Sequence, residues 1–347
     1  GGNNYVANDS DELAAALTAA VAAIREWNPT VSAPTVPLSA LNRSESGEQV
    51  YLAFFGPSNS QAWAGTVKQF RFGEGETVCG RTAVPDAPIE LCLVGKTVLS
   101  GGSVKNIEKV EIDPITSEQT VVVNPAAVSF WNPSNTQDGS KPNLGGSGQR
   151  LKDDGTWNPS TRRVFTIITD PGALSEGVSG SANLLDGGNA VTESNTTLLT
   201  KARLGNAGMS DATRAMLINF VRGGNPADAN CADASAGTAC TAWQGWPHFD
   251  VLHSRPALIT YNPTPVADPE VGGGQLAAAQ YLFFLTNEGL LRAVDAKTGA
   301  EKWSFLIEEA ISRLVDVRNN LAGQHLTLAD GAPAVWTHDV NGDGIIG

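Results

Sequence analysis

The segment from Tyr281 to Trp303 constrains the fold of this chain more than any other stretch. Its apolar runs are interrupted at Asn287-Glu288-Gly289 and at Lys297-Thr298-Gly299, and such triplets are typical of tight turns between antiparallel strands. Asp295, just before the second turn, can accept hydrogen bonds from the backbone that follows it. The pattern therefore predicts a three-stranded antiparallel meander, with Trp303 packed over the sheet.

Short strands separated by turns are predicted for much of the remaining chain. The 37 glycines and 19 prolines among 347 residues favour frequent turns over long helices. We therefore expect an assembly of sheets with a few helical insertions. The candidate strands, with the three of the meander given last, are Val50–Phe55, Trp63–Phe72, Leu91–Leu99, Val121–Val123, Arg163–Thr169, Ala257–Tyr261, Tyr281–Leu285, Leu291–Val294 and Lys302–Leu306.

Helical patterns occur in three places. Apolar residues recur at helical spacing over residues 9–27, and a proline-punctuated connector follows. We therefore expect a helical lead-in and linker over residues 1–47, before a β domain over residues 48–347. A second helix is expected over 211–221, between a capping Ser210 and a terminating Gly223. A third is expected from Glu308 to Asn319, and residues 132–158 read as a long loop.

The charge balance argues against two classes of partner. The chain has 23 basic and 36 acidic residues and a net charge of −13, so we expect no nucleic-acid binding, which needs clustered lysine and arginine. We also expect no membrane insertion, because the longest uncharged apolar run, Leu13 to Ile24, is shorter than the ~20 residues that a spanning helix requires. Acidic loops, by contrast, suit hard cations such as calcium.

The four cysteines form two local pairs, Cys79 with Cys92 and Cys231 with Cys240. Each pair lies in a loop rich in glycine, proline or aspartate, which favours two short-range disulfides in an exported protein. The alternative is four unrelated buried thiols. A zinc cluster is not expected, because neither pair is a Cys-x-x-Cys.

The end of the sequence, Asp339 to Gly347, fits the first nine positions of an EF-hand-like calcium loop. Asp339, Asn341 and Asp343 would supply side-chain oxygens, and Ile345 its backbone carbonyl. Glycine stands at the ninth position, and no bidentate carboxylate follows. The alternative is therefore a pair of Asn-Gly and Asp-Gly turns without a metal.

Four segments resemble known proteins. Ala293 to Trp303 resembles the blade repeat Ala-x-Asp-x-x-Thr-Gly-x-x-x-Trp of quinoprotein-type β-propellers. Tyr51–Phe70, Leu217–Gly223 and Phe249–Pro256 resemble parts of the C-terminal domain of the PilC/PilY family of type IV pilus tip-associated proteins. Phe249–Pro256 contains that family's Asp-x-x-His-Ser-x-Pro pattern, and the order of the segments agrees over roughly residues 48–345.

The resemblance implies a mainly β fold, a modified quinoprotein-like β-propeller with a few helical insertions and an N-terminal helix. Its clear blade would cover residues 281–306, and the calcium-type loop would cover residues 339–347. Because such propellers need four or more blades of about 40–50 residues, residues 48–347 would hold only a partial set of blades. The chain would then be part of a longer protein.

The resemblance also implies a function. The chain would be a type IV pilus tip-associated adhesin or biogenesis protein, exported through the periplasm to the cell surface or pilus tip. It would bind minor pilins and a host or abiotic surface, would take calcium as its cofactor, and would not be an enzyme. Order and disorder of the acidic loop, with and without calcium, would modulate binding.

Two other function classes remain open. A quinoprotein dehydrogenase would require several complete blade repeats and an acidic catalytic base, whereas a passive scaffold propeller of the cell envelope would have regular repeats throughout. His253 and Ser254 could also suggest a nucleophile and its base. However, adjacent residues of an extended strand point to opposite faces, so we expect His253 in a blade interface and Ser254 in a structural role.

Overall fold

The computed structural model of the chain describes twelve stretches of the sequence. These are residues 49–58, 62–74, 91–96, 108–112, 119–124, 126–153, 158–168, 185–232, 240–267, 276–319, 325–329 and 331–336. The predicted lead-in over residues 1–47, including the helix at 9–27, lies outside them.

Ten strands and four α-helices form the described part of the chain. The strands are β1 (Gln49–Gly56), β2 (Ala64–Glu74), β3 (Leu91–Val94), β4 (Glu108–Ile112), β5 (Gln119–Val123), β6 (Val164–Phe165), β7 (Ala257–Ala267), β8 (Leu276–Thr286), β9 (Leu290–Asp295) and β10 (Glu301–Leu306). The helices are α1 (Gly146–Asp153), α2 (Asp211–Val221), α3 (Glu308–Ile311) and α4 (Leu314–Asn319).

The largest sheet has five strands in the order β6-β10-β9-β8-β7. Neighbouring strands from β7 to β10 are antiparallel, whereas β6 runs parallel to β10. The meander predicted from the sequence is therefore confirmed as β8-β9-β10, and β7 extends it to four antiparallel strands.

Both predicted turns of the meander are also confirmed. Gly289 closes the first turn with φ of 89°, a left-handed conformation that side chains disfavour. In the second turn, the Asp295 carboxylate accepts hydrogen bonds from the backbone amides of Lys297 (3.1 Å) and Thr298 (3.0 Å). The Trp303 ring of β10 packs against Phe283 of β8, across the intervening strand β9, with 5.8 Å between ring centroids.

A second sheet has the order β1-β2-β3, and its first strand lies between two apolar clusters. On one side, Tyr51 and Ala53 pack with residues of the large sheet, including Phe284. On the other side, Leu52 and Phe54 pack with residues of β2 and β3. Burial on both faces explains why the sequence of β1 is a continuous apolar run and does not alternate. A third sheet pairs β4 with β5.

The helix predicted over 211–221 is confirmed as α2. The Ser210 hydroxyl caps it by accepting a hydrogen bond from the Thr213 amide at 3.0 Å, and Gly223 follows its end with φ of 102°. The single helix predicted from Glu308 to Asn319 is wrong in one respect. It is two short helices, α3 and α4, interrupted by turn residues at 312 and 313.

Helix α1 was not predicted, because two of its first three residues are glycine and it lies inside a segment that reads as a loop. Contacts with β2 hold it in place. The Ser147 hydroxyl accepts a hydrogen bond from the Val67 amide at 3.0 Å, and the Gly148 amide donates to the Thr66 hydroxyl. Gly146 has φ of 64°, and a Cβ there would lie 2.4 Å from the Val67 carbonyl oxygen. Tertiary contact thus outweighs weak helix propensity here.

The structure supports the predicted mainly β fold only weakly, and it does not by itself identify a propeller. Strand residues outnumber helical residues only modestly, so the described chain combines sheet with helix. Two expected strands are shorter over the described residues than the sequence indicated. Leu91–Val94 forms β3 and the next two residues are not in a strand, whereas Val164–Phe165 alone forms β6 within residues 163–168. Residues 97–99 and Thr169 lie outside the described residues.

Candidate functional site

The predicted calcium loop lies outside the described residues. Asp339, Asn341, Asp343 and Ile345 therefore remain a prediction. Their donor set fits calcium chemically, because two carboxylates, an amide oxygen and a backbone carbonyl are all hard oxygen ligands. Within the described ranges, no group of three histidine, cysteine or acidic residues is arranged to hold a metal ion.

Cys231 and Cys240 form a disulfide, the second of the two predicted pairs, with 4.5 Å between their Cα atoms. The bonded loop leads directly to Trp243, whose amide donates a hydrogen bond to the Gly223 carbonyl at 2.8 Å. The disulfide thus closes a loop beside the end of α2. Cys79 and the side chain of Cys92 lie outside the described residues, so that pairing stays a prediction.

The Asp-x-x-His-Ser-x-Pro segment is attached to the meander through two of its motif residues. The Asp250 carbonyl accepts a hydrogen bond from the Asn287 amide at 3.0 Å, and its carboxylate accepts one from the Asn287 side chain. The Ser254 hydroxyl accepts a hydrogen bond from the Leu285 amide at 2.8 Å. These contacts give Asp250 and Ser254 a structural role beside the first turn of the meander.

His253 and Ser254 face different surroundings. His253 is exposed and Ser254 is buried, which agrees with the expectation that the two side chains point in opposite directions. The side chain of His253 lies at the surface of the described residues, and its position in a blade interface stays a prediction. Pro256 is buried and immediately precedes β7.

Four buried charged side chains form an ion-pair cluster beneath the meander: Arg162, Glu288, Arg292 and Glu301. Arg162 Nε lies 2.8 Å from Glu301 Oε1, and Arg292 Nη1 lies 2.6 Å from Glu301 Oε2. Arg292 also donates to Glu288. The cluster carries two positive and two negative charges, and such balance is what allows charges to be buried.

The ion-pair cluster joins several parts of the fold. Arg292 donates to the Thr286 hydroxyl and to the Pro247 carbonyl, each at 3.2 Å. Arg162 donates to the carbonyl of Val221, the last residue of α2. Burial by itself would raise the pKa of Glu301, but the charges of Arg162 and Arg292 outweigh it and lower that pKa to about 2.

His248, close to the ion-pair cluster, is held in one tautomer. Its Nδ1 lies 2.7 Å from the Phe249 carbonyl oxygen, which can only accept, so Nδ1 carries the proton. Its Nε2 lies 3.1 Å from the Ser147 hydroxyl and accepts from it. Burial, reinforced by the charge of Arg292, lowers the pKa of His248 well below its usual range. The imidazole is therefore neutral in the folded protein.

A small pocket borders the ion-pair cluster. The volume open to the centre of a water molecule is about 20 Å³, enough for a water molecule or two. Oε2 of Glu288 is buried and accepts no hydrogen bond from any other residue that the structure describes, so this carboxylate oxygen can still accept one. The pocket is lined chiefly by Phe220, Trp243, Phe249, Glu288, Leu290 and Val317.

Lys68 is another buried charged residue that no sequence pattern singled out. Its ammonium group donates to the carbonyls of Asp138, Gly139 and Lys141 at 2.5, 2.9 and 2.8 Å, and it lies 3.6 Å from the Asp138 carboxylate. Burial lowers the pKa of Lys68 to about 8, against the opposing effect of Asp138. The contacts attach the loop before α1 to β2.

Sequence reasoning missed the ion-pair cluster, although three of its members lie inside the predicted meander. One signal was present: Arg292 stands within the apolar run of β9, where a charged residue needs a partner if both faces are covered. Arg162 lies far from the meander in sequence, so no local pattern could have paired it with Glu301.

Among the helices that the structure describes, none has the length and apolar character needed to cross a membrane. Comparisons with protein-family models, with curated proteins and with solved structures found no match to this chain.

Proposed function

We propose that the chain is an extracellular interaction module of the type IV pilus tip, related to the PilC/PilY family. In this proposal residues 48–347 are part of a β-propeller, and the chain binds minor pilins together with a host or abiotic surface. It acts by binding and not by catalysis. The calcium-type loop modulates that binding.

The observation that carries the proposal is the way the family-like segments meet. The Gly65 amide of β2 donates to the His248 carbonyl at 3.0 Å, just before the Asp-x-x-His-Ser-x-Pro segment. Asp250 and Ser254 of that segment then bind the meander through Asn287 and Leu285. Segments chosen by resemblance alone thus contact one another in space. This supports an architecture shared with the PilC/PilY family, in which Asp250 and Ser254 have a structural role.

The sheets offer partial support for a propeller. Strands β7 to β10 form a four-stranded antiparallel meander, which is the composition of one blade. Tyr51 and Ala53 of β1 pack against Leu282 and Phe284 of β8, so the first sheet covers one face of this meander. Neighbouring blades would make such a contact. We propose that these sheets belong to two blades.

The calcium-type loop supplies the regulatory part of the proposal. Without a cation, the carboxylates of Asp339 and Asp343 repel one another, whereas a bound calcium ion would neutralise this repulsion and order the loop. An ordered loop would present a defined surface to a pilin or to an external surface.

Deletion of the coding sequence in the organism that encodes this chain tests the proposal. We expect fewer surface pili in shear preparations, and recovery when the wild-type gene is restored. A gene encoding Asp343→Ala should restore them less well than one encoding Asp153→Ala, an exposed aspartate on α1 outside the loop. Unchanged pili in the deletion strain would contradict the proposed function.

A further inference from the structure

Three side chains connect a buried carboxylate to an exposed hydroxyl group. His325 Nε2 lies 2.9 Å from Asp250 Oδ2, and the Thr327 hydroxyl lies 3.4 Å from His325 Nδ1. The Asp250 side chain is completely buried, whereas Thr327 is exposed. Carboxylate, imidazole and hydroxyl in this order form the arrangement in which a base activates a nucleophile and a third group orients the base. Asp250, His325 and Thr327 are called the triad below.

The carboxylate decides which nitrogen of His325 carries the proton. Burial raises the pKa of Asp250, whereas the hydrogen bonds from His325 and Asn287 favour its ionised form. An ionised carboxylate can only accept hydrogen bonds, so Nε2 carries the proton and donates to it. Nδ1 of the neutral imidazole then has a lone pair and accepts from the Thr327 hydroxyl. The exposed hydroxyl thus directs its proton at a base.

Packing fixes the geometry of the triad. The imidazole ring lies against the indole of Trp63, with 3.8 Å between ring centroids. Leu326 and Leu328, on either side of Thr327, pack in apolar clusters of the core. The carboxylate is held by a hydrogen bond from the Asn287 side chain. The hydroxyl, the imidazole and the carboxylate are therefore in place before any reagent arrives, which is the condition for activation by proximity.

Two other pairs of hydroxyl and histidine in the fold lack this combination. The Ser147 hydroxyl contacts His248 Nε2, but both residues are buried and the other ring nitrogen faces a backbone carbonyl. The Ser254 hydroxyl, next to His253, is buried and accepts from the Leu285 amide. Thr327 differs from both serines because it is exposed and its base is bound to a carboxylate.

We propose that Thr327 is an activated hydroxyl that takes up an acyl group from esters, with His325 as its base and Asp250 as the residue that orients His325. Thr327 Oγ1 bonds to the carbonyl carbon of the ester and gives its proton to His325 Nδ1. The bond from that carbon to the leaving-group oxygen breaks, and the leaving group takes the proton. The negative charge of Asp250 stabilises the transient imidazolium. The product is an ester of Thr327 and a free alcohol.

The proposal goes beyond the pilus function and does not depend on it. Uptake of one acyl group modifies the surface at residues 325–329 and needs neither calcium nor a pilin. Failure of the pilus experiment would therefore leave this proposal standing, and the reverse also holds.

Reaction of the full chain with p-nitrophenyl acetate tests the proposal, at about pH 8 so that imidazole is neutral. Peptide mass spectrometry locates the acetyl groups, and neutral hydroxylamine removes them from hydroxyl esters but not from lysine amides. We expect Thr327 to be acetylated about 100-fold faster than Thr196, an exposed threonine elsewhere, because a positioned general base gives at least this factor.

Variants separate activation from mere exposure. Thr327→Val should remove the ester, and Thr327→Ser, which keeps the hydroxyl, should retain it. His325→Gln should slow acetylation of Thr327 to the rate at Thr196, whereas His253→Gln, at an exposed histidine outside the triad, should not change it. Circular dichroism checks that each variant is folded. Acetylation of Thr327 in the wild type no faster than that of Thr196, or a rate unaffected by His325→Gln, would overturn the proposal.

Discussion

Arg292 and Glu301 face each other from β9 and β10, with 2.6 Å between Nη1 and Oε2 and both side chains almost fully buried. Arg162 binds the other side of the same carboxylate. A carboxylate from the predicted meander thus joins two arginines that are far apart in sequence. The relationship links the large sheet to the end of α2, through the hydrogen bond from Arg162 to Val221.

Replacing Glu301 by glutamine should therefore be costly. The change leaves two buried guanidinium groups without their shared anion, and we expect a loss of about 3–5 kcal/mol in the free energy of unfolding. Asp316→Asn, at an exposed pair with Arg313, should cost no more than about 1 kcal/mol. Urea unfolding monitored by circular dichroism measures both. Similar losses of unfolding free energy for the two variants would show that the buried ion-pair cluster contributes no more to stability than an exposed ion pair.

The same carboxylate should contribute to the acid sensitivity of the fold. The pKa of Glu301 is lowered to about 2 in the folded state, so its stabilising charge is fully present above its unfolded pKa of about 4.5 and is lost as the pH falls through about 2. We expect the stability difference between wild type and Glu301→Gln to shrink over this window. Denaturant midpoints measured at several pH values test it, and a constant difference contradicts it.

His248 should remain neutral where exposed histidines take up protons. Because burial and Arg292 lower its pKa, the folded state resists protonation whereas the unfolded state binds a proton below about pH 6.5. The free energy of unfolding should therefore decrease as the pH falls below about 6.5, and His248 should contribute at most about 1.4 kcal/mol of this decrease per pH unit. Nitrogen NMR of labelled histidine at pH 5.5 should show a protonated Nδ1 and an unprotonated Nε2. An imidazolium spectrum for His248 in the folded protein would refute this expectation.

The disulfides can be counted by mass. If Cys231–Cys240 and the predicted Cys79–Cys92 pair are both oxidised, alkylation before reduction should add no mass, and alkylation after reduction should add four groups. The Cys231→Ser and Cys240→Ser double variant should lose about 2–3 kcal/mol, the amount expected for closing a loop of this size. Two cysteines that react before reduction would refute the Cys79–Cys92 pairing.

Calcium binding is tested by calorimetry on the full chain. We expect heat of binding in the wild type and its loss or strong reduction in Asp343→Ala, because that change removes a carboxylate ligand of the predicted loop. Asp153→Ala, which changes the net charge equally at an exposed site on α1, should bind as the wild type does. Equal heats for all three proteins, or none in any, would contradict the calcium proposal.

Local patterns in the sequence predicted the meander and helix α2 well. The turn residues Gly289 and Asp295 and the capping residue Ser210 act through contacts within a few positions. Contacts of this range can be predicted from the local sequence pattern. The same holds for the Cys231–Cys240 loop, which spans nine positions.

Contacts between residues that are distant in sequence could not be predicted from local patterns. Helix α1 depends on hydrogen bonds from Ser147 and Gly148 to β2, and Lys68 is balanced by carbonyls about seventy positions away. Arg162 and Glu301 are 139 positions apart. Trp63, Asp250 and His325 come into contact from three separate stretches. In each case burial creates the interaction, and burial follows from the packing of distant elements.

Immunogold labelling of pili sheared from the organism that encodes this chain tests the proposed function most directly. Antibodies against residues 48–347 should label the ends of pilus fibres, and label should be lost from the strain that lacks the gene. Label confined to the cell body, or spread evenly along the fibres, would contradict a place for this chain at the pilus tip.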